Sequence, residues 1–309
     1  MKYLAVLTLA AALAAPRAFA AWVYEGQWGS RGSGPGEFNS PVDVAVAPDG
    51  RVYVVEFQNH RVQYFTSSGS YLGMWTVNGY PLGAGVAPSG DVYVVSSADK
   101  CVQYFTPNGS FLGGWGAYGR GDGEFDGAWD VAVAANGNVY VVDTQNDRVQ
   151  YFTPNGSFLG KWGKLGNAPG EFNLPHGVAV GSNGRVYVAD NWNTGVQYFT
   201  PNGSYLGRWG KVFLVGALRV AVSADGFGFA VDPWNQRIRY GTTSGSLIGE
   251  WGSYGSGKGQ FDWPQGAAAS PDGKRVYVAD KYNYRVQYFR RSDPAVSPTS
   301  LGRVKALFR

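Results

Sequence analysis

Short apolar runs and polar turns alternate along almost the whole of this 309-residue chain. The segment Val-Gln-Tyr-Phe recurs at intervals of 40 to 48 residues if the variant Ile238-Arg239-Tyr240 is counted; the other copies start at Val62, Val102, Val149, Val196 and Val286. Self-similarity at this period is typical of propellers and solenoids, so it decides the architecture before any local pattern does.

Each repeat predicts four β-strands. A first apolar segment, such as residues 41–46, leads to a turn that ends in glycine, and a second run rich in Val and Tyr follows. β-Branched and aromatic residues favour strands over short helices. Val-Gln-Tyr-Phe is the third strand, and an Asn-Gly or Ser-Gly pair then predicts a hairpin into a fourth strand that ends in Trp-Gly.

Six third strands are followed by only five fourth strands. The sixth Trp-Gly segment, residues 22–29, precedes the first repeat. We therefore predict an all-β fold, a six-bladed β-propeller of four-stranded antiparallel blades, in which the N-terminal strand (22–29) completes the last blade. Ring closure removes the loose ends of an open array.

The repeats resemble a known family. Val-Ala-Val, Asp-Gly, Val-Tyr-Val-Ala-Asp and Asn-His-Arg-Val-Gln-Tyr-Phe look like the NHL repeat, and Asn59-His60-Arg61 reproduces the middle of that consensus. The resemblance covers residues 22–289 and implies a propeller. It implies no single function, because propellers host many unrelated activities.

The two ends of the chain differ from the repeats. Lys2, the apolar run 4–15 and Ala18-Phe19-Ala20 are typical of a secretory signal peptide, so we expect residues 1–20 to be removed during export. The chain would then be secreted or periplasmic, with the propeller at 21–289 and a basic tail at 290–309. No later run reaches the length of a transmembrane helix. Cys101 is the only cysteine, so no internal disulfide is expected.

The formal net charge of +4 comes from the leader and the tail, since the body between them is slightly acidic. A surface of this kind favours no nucleic-acid partner. We expect a monomer.

Acidic residues at the end of second strands are often followed, five positions later, by arginine; the pairs are Glu56/Arg61, Asp143/Arg148, Asp232/Arg237 and Asp280/Arg285. We interpret them as structural clamps between a strand and its loop. The second repeat has Ser96 and Cys101 and thus loses both partners. The fourth keeps Asp190 but has Gly195, so Asp190 is either a candidate ligand-binding group or a solvated acid.

Four repeats are preceded by a long loop that contains Gly-Glu-Phe or Gly-Gln-Phe, and we expect the Phe to anchor the loop by packing. In a propeller these loops, and those between second and third strands, lie on one face around the channel mouth. Side chains that are not repeated there are the candidate ligand-binding residues: Asp43, Trp129, Asp130, His176, Asp190, Trp192, Arg219, Trp234, Gln265 and Tyr282. Aromatic residues mixed with a few charges are typical of a face that binds a protein, peptide or glycan.

The alternative is a metal-assisted hydrolase or lyase at the same mouth. NHL-like amidating lyases use several histidines, whereas this chain has two, His60 and His176. Six-bladed lactonases bind calcium, and Asp43, Asp130 and Gln265 could imitate their ligands, but Arg219 in the same ring opposes a cation. We therefore expect a binding or scaffold module without a cofactor, and calcium or zinc would be the metal of the alternative.

Overall fold

The computed structural model describes residues 21–193, 195–209 and 217–292. In these three ranges the chain forms six four-stranded antiparallel sheets, which confirms the predicted propeller. The expected signal peptide (1–20) and residues 293–309 of the expected basic tail lie outside the described residues. None of the helices in the described ranges is long and apolar enough to cross a membrane.

Each blade consists of four strands in sequence order from the channel outwards, except the last, whose outer strand is β1. Blade 1 contains β2 (Pro41–Val46), β3 (Val52–Glu56), β4 (Arg61–Phe65) and β5 (Tyr71–Thr76). Blade 2 contains β6 (Pro81–Val86), β7 (Val92–Ser96), β8 (Cys101–Phe105) and β9 (Phe111–Trp115). Blade 3 contains β10 (Ala128–Val133), β11 (Val139–Asp143), β12 (Arg148–Phe152) and β13 (Phe158–Trp162).

The second half of the ring repeats this order. Blade 4 contains β14 (Pro175–Val180), β15 (Val186–Asp190), β16 (Gly195–Phe199) and β17 (Tyr205–Arg208). Blade 5 contains β18 (Arg219–Val222), β19 (Phe227–Asp232), β20 (Arg237–Thr242) and β21 (Leu247–Trp251). Blade 6 contains β22 (Pro264–Ala269), β23 (Arg275–Asp280), β24 (Arg285–Arg291) and β1 (Trp22–Trp28). Short 3-10 turns follow β11 (Thr144–Asn146) and β23 (Lys281–Asn283).

The N-terminal strand closes the ring, as predicted. β1 pairs antiparallel with β24, with Trp28 opposite Val286. Glu25 of β1 lies 2.7 Å from the Nε of Arg275 in β23, which joins the first and last parts of blade 6. The Tyr277 hydroxyl of blade 6 donates to the Ser67 carbonyl of blade 1 at 2.9 Å.

The tryptophan at or next to the end of each fourth strand packs against the next blade. The ring of Trp75 in blade 1 lies 5.6 Å from that of Phe105 in blade 2. A Cβ on Gly109 would lie 2.6 Å from the Trp75 ring, so only glycine fits in that hairpin turn. The Tyr53 hydroxyl also reaches across this junction and donates to the Pro107 carbonyl at 3.0 Å.

The ring has two distinct faces. The loop face carries the loops that lead into the first strands and the loops between second and third strands. The turn face carries the hairpin turns, such as residues 47–51 and 66–70. The first strands of successive blades contact one another around the central channel. Each first strand has a sheet partner on one side only, so its other edge faces the channel.

The long loops of the loop face are anchored as expected. Their phenylalanines are fully buried, namely Phe38, Phe125, Phe172 and Phe261. Each forms an isolated parallel bridge with the residue seven positions earlier, as Phe38 does with Arg31. The aromatic ring thus fixes the base of a glycine-rich loop that has no sheet partner of its own.

The acid–arginine clamps are also confirmed, and the arginine of blade 1 binds the long loop as well. Arg61 Nε lies 2.5 Å from Glu56, while its Nη2 donates to the carbonyls of Gly34 (3.0 Å) and Glu37 (2.8 Å) in the long loop. Blade 2 has only a short loop before its first strand. In this blade Ser96 and Cys101 replace both members of the pair.

Candidate functional site

Three aromatic side chains occupy the same loop position in three successive blades. Trp192, Trp234 and Tyr282 stand two residues after the end of the second strands of blades 4, 5 and 6. Their exposed fractions are 67%, 61% and 50%. The other blades have Gln58, Ala98 and Gln145 at this position. At this loop position, aromatic side chains are therefore confined to blades 4, 5 and 6.

Trp263 joins this row, although the sequence analysis missed it. Its ring lies 4.7 Å from that of Trp234 at an interplanar angle of 76°, and 6.3 Å from that of Tyr282. We call Trp192, Trp234, Trp263 and Tyr282 the aromatic arc. The signal that could have revealed Trp263 is its place directly before a first strand, where Leu174 stands in blade 4.

Trp263 has a left-handed backbone conformation, with φ of 59°. Such a conformation is uncommon for a bulky residue and costs on the order of 1–3 kcal/mol. It persists only where the surrounding contacts impose it. Here the Trp263 N–H donates to Gln236 Oε1 at 2.6 Å. Blade 5 thus fixes a tryptophan of blade 6 in a strained conformation next to Trp234.

The loops of the arc are held by one repeated contact. The side-chain amides of Asn193, Asn235 and Asn283 donate to the carboxylates that end the second strands, at 3.0, 2.9 and 2.9 Å. Each asparagine directly follows an arc residue. The aromatic side chains are therefore presented by short loops whose backbone is tied to the blade, a preorganised arrangement.

Trp129 and His176 lie deeper, towards the channel mouth. Their rings are 4.5 Å apart and nearly perpendicular. His176 is buried, and its Nδ1 lies 2.7 Å from the Leu174 carbonyl, so Nδ1 carries the proton and donates. Burial lowers the pKa of His176, and the nearby charge of Arg219 lowers it further. Gln265 is buried as well, and its Oε1 has no hydrogen-bond partner among the described residues.

Three charged candidates meet inside the channel. Arg219 Nη1 pairs with Asp130 and lies 3.1 Å from Asp43, and its Nη2 donates to the Leu82 carbonyl at 2.7 Å. All three charged side chains are buried. Burial raises the pKa of both aspartates, and the positive charge of Arg219 opposes that rise. We call Asp43, Asp130 and Arg219 the channel cluster. The charges of its three side chains are paired with one another.

Alternate blades make room for the channel cluster. Asp43, Asp130 and Arg219 come from blades 1, 3 and 5, and the equivalent residues of blades 2, 4 and 6 are glycines. A Cβ on Gly83 would lie 2.8 Å from Asp130 Cα and 2.9 Å from Arg219 Nη1. A side chain at this glycine would therefore displace the ion pairs.

A cavity of about 180 Å³ occupies the channel beyond the cluster. It is lined by Asp43, Asp130 and Arg219 and by the first-strand residues that follow them, such as 44–46 in blade 1 and 131–133 in blade 3. These residues lead towards the turn face. Trp129, His176 and Gln265 do not line the cavity. The channel cluster thus separates the predicted mouth from the open part of the channel.

Asp190 is neither free nor solvated, contrary to both alternatives raised by the sequence. It is buried and accepts hydrogen bonds from the Asn173 N–H (2.8 Å) and from Gln197 Nε2 (3.1 Å), besides the Asn193 amide. Burial raises the pKa of Asp190 to about 6, and these donors oppose the rise. Its contacts hold the long loop of blade 4, as the clamped acids do in other blades.

Metal ligands are not grouped in the described ranges, where no three or more His, Cys, Asp and Glu side chains are placed to hold one ion. The two carboxylates nearest the channel axis already pair with Arg219. The loops that carry the aromatic arc offer aromatic surface with a few amide groups.

Four segments match the model of the NHL repeat, at residues 38–65, 125–152, 172–199 and 261–289. They are the four repeats that have the long loop with its buried phenylalanine. No curated protein matches the chain significantly.

Solved structures of similar fold cover most of the chain. A streptogramin B lyase aligns with a TM-score of 0.64 and 16% identity, over 88% of this chain and 98% of the lyase. The selenomethionine-substituted virginiamycin B lyase from Staphylococcus aureus aligns with a TM-score of 0.60 and 14% identity, over 82% and 95%. Kuenenia stuttgartiensis hydrazine synthase gives 0.60 and 12%, over 86% and 99%. At these identities the likeness shows the fold alone.

Proposed function

The chain is an NHL-repeat β-propeller, and we propose that it is a binding module that holds its ligand on the aromatic arc. The observation that carries this proposal is the recurrence of Trp192, Trp234 and Tyr282 at one loop position of successive blades, each at least half exposed. Single exposed aromatic residues are common on protein surfaces and need no explanation. A row of them at equivalent positions favours a binding surface.

The physical chemistry of the arc supports binding. Tryptophan and tyrosine provide a large contact area with few rotatable bonds, so little conformational entropy is lost when they are covered. The loops that carry them are already tied to the blades through Asn193, Asn235 and Asn283. The ligand therefore need not order the surface that it contacts.

The ligand would be a protein, a peptide or a glycan, and the module would act as an exported monomer. The leader-like residues 1–20 support export. The slightly acidic body argues against a nucleic-acid ligand.

A metal-assisted lyase or hydrolase has less support. The carboxylates of Asp43 and Asp130 are neutralised by Arg219, and among the described residues no three His, Cys, Asp or Glu side chains are placed to hold one ion. Two of the similar structures are named as lyases, but their likeness to this chain extends only to the fold.

The proposal is tested by replacing Trp192 and Trp234 together with alanine. Wild-type and variant proteins are applied to arrays of glycans and peptides, and the affinity for each retained ligand is measured in solution. We expect the variant to lose at least about tenfold in affinity, since central aromatic contacts often contribute more than 1.4 kcal/mol each.

Phe111→Ala is the matched control, because Phe111 is 61% exposed, like Trp234, but begins the fourth strand of blade 2. It should leave the affinity unchanged. Trp129 is less suitable for the test, because its partly buried ring packs against core residues such as Ala128. Equal affinities of the double variant and the wild type would contradict the proposal.

A further inference from the structure

We infer that the ligand of the aromatic arc is an uncharged glycan chain; this inference rests on the binding function proposed above. A sugar ring needs only the flat face of an aromatic side chain, against which its C–H groups stack. Trp192, Trp234 and Tyr282 are each exposed by half or more and so present such faces to solvent.

A peptide ligand fits the loop face less well. The side chains that anchor a peptide fill desolvated pockets. The cavity in the channel lies beyond the channel cluster, towards the turn face, so it offers no such pocket next to the arc. Peptides that bind by strand addition need a free sheet edge. The free edges belong to the first strands, which face the channel, and to the fourth strands at the outer rim, whereas the arc lies on loops.

The charge of the arc favours a neutral ligand. The three loops that carry Trp192, Trp234 and Tyr282, residues 191–193, 233–236 and 281–284, contain one ionised side chain, Lys281. Lys281 Nζ lies 5.2 Å from the centre of the Tyr282 ring, so that ring already partners its charge. The remaining polar side chains are mainly uncharged carboxamides, most of which hold the loops themselves. An anionic polymer would need a cluster of cations, which these three loops lack.

The repetition of the arc matches a repeating ligand. One aromatic residue per blade, at an equivalent position in blades 4, 5 and 6, creates similar platforms in a row. Trp263 fills the space between the platforms of blades 5 and 6, in contact with both. A polymer of equivalent sugar units can occupy such platforms in succession, and each stacked ring adds to the affinity.

Isothermal titration with three uncharged hexasaccharides, cellohexaose, mannohexaose and chitohexaose, tests this inference. We expect at least one to bind, with a loss of about tenfold or more for both Trp192→Ala and Trp234→Ala. Trp234→Phe should retain most of the affinity, because an aromatic face remains, and Phe111→Ala should retain all of it. The affinity of the wild type should not fall when salt is raised from about 0.05 to 0.5 M, since a neutral ligand has no charge to screen.

The remaining outcomes separate this inference from the function on which it rests. If no hexasaccharide binds at millimolar concentration while an arrayed peptide binds and is lost in the arc variants, the glycan assignment is wrong and the binding site stands. If a hexasaccharide binds equally well to all variants, the arc is not the site and both proposals fail.

Discussion

At the scale of single residues, one acidic position in different blades shows how surroundings decide a side chain's role. Asp143 and Asp280 each end a second strand and pair with an arginine at 2.7 and 2.8 Å. Asp190 occupies the same position, but the residue opposite it in the next strand is Gly195. Its carboxylate therefore accepts hydrogen bonds from uncharged N–H groups instead of an arginine. Desolvation is the largest influence on it and raises the pKa of Asp190 to about 6.

This pKa predicts how Asp190 affects stability. The folded state binds the proton more tightly than the unfolded state, whose carboxyl has a pKa near 3.8. The stabilisation is complete below about pH 4 and is lost as the pH rises through 6, by on the order of 3 kcal/mol. The difference in unfolding free energy between pH 4.5 and 7 should therefore shrink in Asp190→Asn. Urea unfolding at both pH values measures it, and an unchanged difference would refute the assignment.

At the scale of structural elements, the long loops are held by side chains of the neighbouring strands as well as by a few backbone hydrogen bonds of their own. Arg148 donates to the carbonyls of Arg120, Gly121 and Glu124 at 2.8–2.9 Å while its Nε binds Asp143. The N–H groups of its guanidinium thus satisfy backbone carbonyls of a loop that has no regular secondary structure. The loop face is therefore rigid because of buried charge-assisted hydrogen bonds.

Arg148→Ala should release the loop 116–127 and leave Asp143 buried without its cation. We expect a loss of about 3–5 kcal/mol in the free energy of unfolding, together with faster hydrogen exchange in this loop. The control is Lys161→Ala, which removes a 2.5 Å ion pair with Asp122 between exposed side chains and should cost less than about 1 kcal/mol. A similar small loss for both variants would show that the clamp does not hold the loop.

The sequence predicts the elements better than it predicts the site. Repetition predicts the strand order, the ring closure by residues 22–29 and the clamp at Asp143 and Arg148. Each copy of the repeat has the same sequence pattern and therefore the same local structure. The meeting of Arg219 with Asp43 and Asp130 does not follow. Repeat alignment places the three residues at one level of the ring, but the direction of a long side chain across the channel depends on which neighbours are glycine. Trp263 was missed although its place before a first strand is visible in the sequence, because its contacts with Trp234 and Tyr282 depend on how blades 5 and 6 are placed in the ring.

At the scale of the whole molecule, the channel cluster divides the propeller into two unequal faces. Arg219 reaches from blade 5 to residues of blades 1, 2 and 3, and so ties opposite sides of the ring together. Towards the loop face lie Trp129, His176 and the aromatic arc; towards the turn face lies the cavity. A ligand on one face is thus separated from the other by buried ion pairs. The proposed function assigns the ligand to the loop face.

Hydrogen exchange of the wild-type chain, with and without a saturating ligand selected on the arrays, tests this assignment most directly. We expect slower exchange in the loops 191–193, 233–236 and 281–284, with little change in the hairpin turns of the turn face. Slower exchange confined to those turns, such as 47–51, or to the first strands along the cavity would contradict it.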